Sequence, residues 1–138
     1  MRSWKTRKGR QVVRSRVLAA AMAGAWLGCG VAVWAADQVS EAAMKEAKEI
    51  WQTRCATCHG QGGKGDGPAG AALNPKPRDF TSEEWQKSVT DDYIQKIIVG
   101  GGQAVGKSPL MAANPDLASK PEVVRGLTKI VRELAGKK

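Results

Sequence analysis

Residues 54–68, RCATCHGQGGKGDGP, hold two of the chain's three cysteines, its single histidine and five of its sixteen glycines. No other stretch narrows the fold so far. Cys55 and Cys58 stand three positions apart, about one helical turn, and His59 follows at once. Two thiols at that spacing make a redox pair, half of a metal site or an attachment point for a cofactor, and each choice needs different company elsewhere in the chain.

A thioredoxin-like dithiol wants a strand before it and a βαβ pattern around it. No run here shows convincing strand alternation. A structural zinc site takes four Cys or His ligands, and beyond residue 35 the chain offers only Cys55, Cys58 and His59. A plain disulfide explains neither the histidine nor the long glycine loop. Cys-x-x-Cys-His is the pattern by which c-type haem is attached covalently. The two thiols reach the two vinyl groups of one porphyrin, and the adjacent imidazole is placed under the iron. The residues therefore ask for one covalently bound haem c per chain.

The chain begins with an export signal. Residues 1–16, MRSWKTRKGRQVVRSR, carry seven Lys or Arg and no acid, and VLAAAMAGAWLGCGVAVWAA (17–36) follows without a charge. A basic start, an apolar stretch and small residues at its end form a secretory signal peptide. Val33-Trp34-Ala35 suits the positions a signal peptidase reads, so residues 1–35 are expected to be removed and 36–138 to form a periplasmic domain. The apolar run also has about the 20 residues that a retained anchor needs, which would hold the domain at the membrane facing the periplasm. Lipidation at Cys29 is disfavoured by the Trp26-Leu27-Gly28 before it, and no adjacent arginine pair supports twin-arginine export.

Of 22 Lys and Arg in a chain of net charge +9, seven lie in the leader, leaving 15 against 13 Asp and Glu. The basicity belongs to targeting and is no evidence for nucleic-acid binding. Only Trp51, Trp85, Phe80 and Tyr93 supply large aromatics beyond the leader. A domain of this size buries modestly, and a large apolar cofactor supplies what the sequence leaves out of its core.

The periodicity is helical. Ala43, Met44, Ala47, Ile50 and Trp51 line one face of a helix after the cap Ser40 and deliver the chain to Cys55. Thr81-Ser82-Glu83-Glu84 reads as a capping box for a short helix bearing Trp85. A third helix starts near Thr90, carries Tyr93, Ile94, Ile97 and Ile98, and stops at Gly100 to Gly102. Ser119 to Glu122 form a second capping box, before a face of Val123, Val124, Leu127, Ile130, Val131 and Leu134. Long Gly/Pro-rich connections at 60–79 and 100–120 have the length of loops with a function. With no repeat and no low-complexity linker, the chain reads as one all-α domain.

His59 needs an axial partner on the opposite haem face, and only two methionines follow the leader. Met44 sits on an apolar helix face and reads as core. Met111 follows Pro109 in a helix-poor loop, where a thioether can close over the iron, raise the reduction potential and leave no open site.

CATCHGQGGKGDGPAGAALNPKPRDF resembles the class I c-type cytochromes in their bacterial single-haem form. The resemblance covers most of 40–136, with Ala47 and Trp51 at positions that pack on the C-terminal helix. GGGQAVGKSPLM is similar to the loop that carries the second axial ligand. It implies a small all-α cytochrome c-like fold wrapped around one haem and an electron carrier rather than an enzyme. Transient partners would be a donor dehydrogenase or reductase and a terminal acceptor. It also implies that the carbonyl of Pro68, in GDGP, accepts the second N–H of His59. Arg78 and Trp85 are candidates for the haem propionates or for the surface and core, and Lys64, Lys76 and Lys107 lie in loops near the haem edge. The pattern departs at Ala112, where many relatives have a proline directly after the methionine. Two other readings stay open: a haem subunit of a larger oxidase or dehydrogenase, and a five-coordinate haem enzyme or gas sensor in which Met111 is no ligand.

Overall fold

The first helix, α1 (Glu41–Ile50), starts where Ser40 lends its hydroxyl to the free amide of Ala43, 3.3 Å away. Its inward face is Ala43, Ala47 and Ile50. A computed structural model describes residues 38–137. The expected leader, its cleavage site and Cys29 lie outside the described residues.

After α1 the helix widens into one π-helical turn, Trp51–Cys55, where the amide of Ala56 reaches back to the carbonyl of Trp51. It then closes as the single turn α2 (Ala56–His59), ended by Gly60 at φ +77°. Such a widened turn is common at functional sites, and the periodicity gave no warning of it. Downstream come α3 (Glu83–Ser88), α4 (Asp91–Gly100) and α5 (Pro121–Glu133), with short 3₁₀ turns at Gly102–Val105 and Pro115–Ser119. There is no strand among the described residues, so the chain is all-α as its periodicity predicts. None of the described helices is long and apolar enough to cross a membrane.

The first and last helices pack together at their smallest residues. A Cβ placed on Gly126 would stand 2.9 Å from the Cβ of Ala47, so the close approach depends on glycine at that point of α5. Val123, Val124, Leu127 and Val131 extend the buried face of α5, and Ile94 and Ile98 add that of α4. Leu117, from the 3₁₀ turn ahead of α5, is also fully buried. Burying one such side chain stabilises by about 1.5–3 kcal/mol.

Thr90, near which the third helix is expected to start, caps α4 by accepting from the amide of Tyr93. The two capping boxes are not formed. Asp79 Oδ1 takes both the amide and the hydroxyl of Thr81, at 2.8 and 2.7 Å, so Ser82 becomes the cap and accepts from the amide of Trp85. At α5, Pro121 fixes the first helical position and Ser119 stays in the preceding 3₁₀ turn, donating to the carbonyl of Asp116. Glu122 is taken instead by the hydroxyl of Ser40, 2.7 Å away.

One buried polar knot ties α3 to α5. Gln86 donates to the carbonyls of Phe80 and Val131, both at 2.8 Å. Arg132 returns to the carbonyl and side-chain oxygen of Gln86, the carbonyl of Val89 and the carboxylate of Asp91. The carbonyls of Gln86 and Val89 at the end of α3 are thereby satisfied without water.

Candidate functional site

Between α2 and α3 the chain forms no regular element, yet it is densely bonded. The amides of Gly65, Gly67 and Ala69 donate to the carbonyls of His59, Cys58 and Thr57, and Phe80 donates to Gly63 at 2.7 Å. These carbonyls are the ones a short helix leaves unpaired at its end. The glycines let the loop lie against them, because a Cβ on Gly67 would stand 2.5 Å from the oxygens of both Ala56 and Thr57.

This wrapping leaves one side of the Cys-x-x-Cys-His turn facing a cavity of about 610 Å³. Cys55, Cys58 and His59 form part of its wall, α4 contributes Ile94, Ile97 and Ile98, and α5 contributes Leu127 and Val131. Met111 lines it as well, brought from more than fifty residues away in the sequence. Met44 does not line it and lies half-buried on α1. The two methionines are thus separated, Met111 at the cavity and Met44 away from it, but Met44 is not the core residue the helix face suggested: only Ala43, Ala47 and Ile50 of α1 are buried, and Met44 lies at the margin of that face.

His59 is buried, at 8 % exposure, and its ring stacks on Phe80 with centroids 4.5 Å apart and planes 18° from parallel. Phe80 in turn meets Trp85 at 5.1 Å and Trp51 at 6.2 Å. Burial holds the imidazole below its ordinary pKa, only partly offset by its hydrogen bond to the backbone of Arg78. A neutral imidazole is the form that ligates a metal. The Nδ1 atom stands 3.3 Å from the carbonyl oxygen of Arg78, which can only accept, so Nδ1 carries the proton and Nε2 keeps its lone pair.

That acceptor differs from the one the resemblance implied. Pro68 is exposed and stands outside the cavity wall. Its loop spends its amides on the end of α2, while the bond from Phe80 to Gly63 draws the segment just before Phe80, Arg78 included, over the imidazole. A backbone acceptor has no side-chain signature, so nothing in the sequence singled out Arg78 for this task.

Cys55 and Cys58 are both half-buried and free of any disulfide. Burial pushes the Cys55 thiol up to about 11, against the lowering pull of Arg54, with Cys58 adding a smaller upward push. Catalytic dithiols need the opposite, a thiol whose pKa is lowered towards neutrality. Arg54, Lys76, Arg78 and Lys107 lie around the cavity with Trp85, and no acid does. Lys64 lies apart, at a shallow depression with Asp79 and Glu83.

Met111 sits in the loop between the two 3₁₀ turns. Its carbonyl accepts from the amide of Gly102 at 3.0 Å, and its amide donates to the carbonyl of Ser108 at 3.3 Å. Asn114, which also lines the cavity, escaped the sequence reading. Its only signal there is an amide side chain just ahead of Pro115.

No curated protein matches the chain. The sequence model of the family described as Cytochrome c matches residues 44–128, a span that takes in the Cys-x-x-Cys-His turn, the glycine loop, α3, α4, the Met111 loop and most of α5. With well over half its length matched and a helical fold around an apolar cavity, the chain belongs to the cytochrome c family, whose members bind haem c and serve in haem-based electron transfer.

Proposed function

We propose that the chain is a periplasmic electron carrier holding one haem c through thioether bonds at Cys55 and Cys58, with His59 and Met111 as axial ligands. The observation that carries this reading is the convergence on one apolar cavity of two free thiols, a neutral imidazole and a thioether, from two distant segments. These residues fit the group. The walls are largely aliphatic and aromatic, the imidazole keeps a lone pair at Nε2, and Arg54, Lys76, Arg78 and Lys107 around the cavity could offset the charge of haem propionates.

When bound, haem supplies a one-electron couple at its iron. The chain's own part is to tether, orient and exclude water. Cys55 and Cys58 fix the attachment from one turn of helix. Arg78 holds the ring of His59 through its carbonyl, which sets the tautomer and raises the basicity of the other nitrogen. The aliphatic side chains of α4 and α5 keep the interior dry, which favours the less charged, reduced state. Met111 would hold the remaining side and leave no position for a substrate, and electrons would then be exchanged during brief encounters with a donor and an acceptor.

Carbon monoxide tests the ligation. The reduced holoprotein is expected to resist rapid carbon monoxide binding at neutral pH, and the oxidised form to show the weak thioether-to-iron absorption at the red end of its spectrum. Rapid binding with a large spectral change, or a missing red band, overturns this reading in favour of a five-coordinate haem protein. Export is tested separately by the N-terminal sequence of the protein recovered from periplasm, expected to begin at Ala36.

A further inference from the structure

The loop that presents Met111 has no proline after the methionine, yet both its ends are fastened to the end of α4. That helix leaves unpaired carbonyls in its last turn, because Gly101 takes φ +70° and ψ −176° and turns the chain away. Asn114 covers two of them. Its backbone amide donates to the carbonyl of Val99 at 2.9 Å, and its side-chain Nδ2 donates to the carbonyl of Ile98 at 2.9 Å. The near end is held by the amide of Gly102 on the carbonyl of Met111, and by the amide of Lys107 on the carbonyl of Gly102 at 2.8 Å.

The fit is close enough to exclude side chains. A Cβ on Gly101 would stand 2.7 Å from the carbonyl oxygen of Met111 and 2.8 Å from the amide nitrogen of Ala113, and one on Gly102 would overlap the carbonyl oxygen of Ser108. Met111 therefore lies between two fixed points, Gly102 on one side and Asn114 three residues beyond. We infer that Asn114 is the positioning residue of the Met111 side of the cavity, bracing the loop through the carbonyls of Ile98 and Val99 in place of a rigid residue at position 112. This rests on the reading of Met111 as axial ligand. An asparagine suits the task because its amide donates to Ile98 while its backbone donates to Val99. Aspartate has the same shape but only accepts, and would face a carbonyl. Loss of the brace leaves Met111 in place chemically but lets the loop drift from the iron.

The experiment compares ferric holoprotein variants for binding of free imidazole, which competes with the thioether for iron, and for intensity of the red absorption band. Asn114→Asp and Asn114→Ala are expected to bind imidazole about tenfold more tightly than wild type and to lose much of the band, as loss of about one net hydrogen bond predicts. Thr128→Val is the control for stability alone. It removes a buried hydroxyl bonded to the carbonyl of Val124, away from the cavity, and should lower the melting temperature without changing imidazole affinity.

Wild-type imidazole affinity in both Asn114 variants overturns the brace, as does an equal gain in Thr128→Val. Met111→Ala separates the two ideas. If it matches wild type in spectrum and affinity, the ligand reading falls; if it opens the site while the Asn114 variants do not, the brace alone falls. Should the Asn114 variants fail to mature, amide hydrogen exchange on wild type decides. Imidazole binding must speed exchange at the amides of Gly102 and Asn114, and unchanged protection there refutes the brace.

Discussion

The cavity has two walls that are held in different ways. Around His59 the chain is wound twice, first as helix and then as a glycine loop whose amides cover the carbonyls of Thr57, Cys58 and His59, with Phe80 stacked on the imidazole. Around Met111 a single loop is fastened at Gly102 and Asn114 to the end of one helix. On the proposed function, the first wall would carry every group that forms a permanent bond, and the second a ligand held by coordination alone. Permanence would then be built where the cofactor is attached, and exchangeability left where its reactivity is set.

The largest effect is expected from weakening the wall that holds Cys55, Cys58 and His59. Cys58→Ala leaves at most one thioether link, and the expected result is loss of the wild-type yield of acid-stable haem, read by acid–acetone extraction. Wild-type covalent yield in that variant would remove Cys58 from the attachment. Next in size is Met111→Ala, which should leave covalent haem intact but open the sixth position. The midpoint potential should fall by a substantial part of the roughly 0.8 V range that axial ligands span. The two variants thus fail differently, one in attachment and one in potential, and a redox titration beside an extraction separates them.

Within the first wall, the glycines are unequal. Gly67→Ala places a methyl group 2.5 Å from two carbonyl oxygens and should cost about 1–3 kcal/mol of stability. Gly62→Ala meets nothing within 4 Å and should stay within about 0.5 kcal/mol of wild type. Chemical denaturation of the two variants checks the difference. Equal losses would mean that the loop does not depend on its close approach to the end of α2.

The same contrast explains what the sequence made legible. Cys-x-x-Cys-His is local, so its spacing alone carried the expectation of haem attachment, and the faces of α1, α4 and α5 followed from apolar periodicity confirmed by buried Ala47, Ile94 and Leu127. The cap Ser40, whose partner is three residues on, was also readable. The failures have distant or backbone partners. Asp79 captured Thr81, Ser40 captured Glu122 across 82 positions, and the acceptor for His59 is the carbonyl of Arg78 rather than the proline the resemblance implied. Met111 could be put forward as a ligand by elimination, and the structure brings it to the cavity, but the bonds that hold its loop depend on where α4 ends in space, which no spacing encodes.

The smallest expected effect concerns an ion pair that joins the segment beside Cys55 to the segment beyond Met111. Arg54 donates to both carboxylate oxygens of Asp116, at 2.9 and 3.2 Å, with both side chains about half exposed. The hydrogen bond from Arg54 holds the Asp116 carboxyl below its usual range, helped by the charges of Arg54 and Lys120. The folded protein therefore protonates this group at lower pH than the unfolded chain does. Its contribution is complete above the ordinary carboxylate pKa and is lost as pH falls through the lowered folded value. Asp116→Asn should melt at most about one or two degrees below wild type near neutral pH, and the difference should vanish in acid and shrink in high salt. The red absorption band should not change, because the wall around Met111 is closed by Gly102 and Asn114 rather than by charge. A melting difference that persists in acid would show that Asp116 acts through something other than its charge, and a weakened band would mean that the two walls depend on each other across this pair.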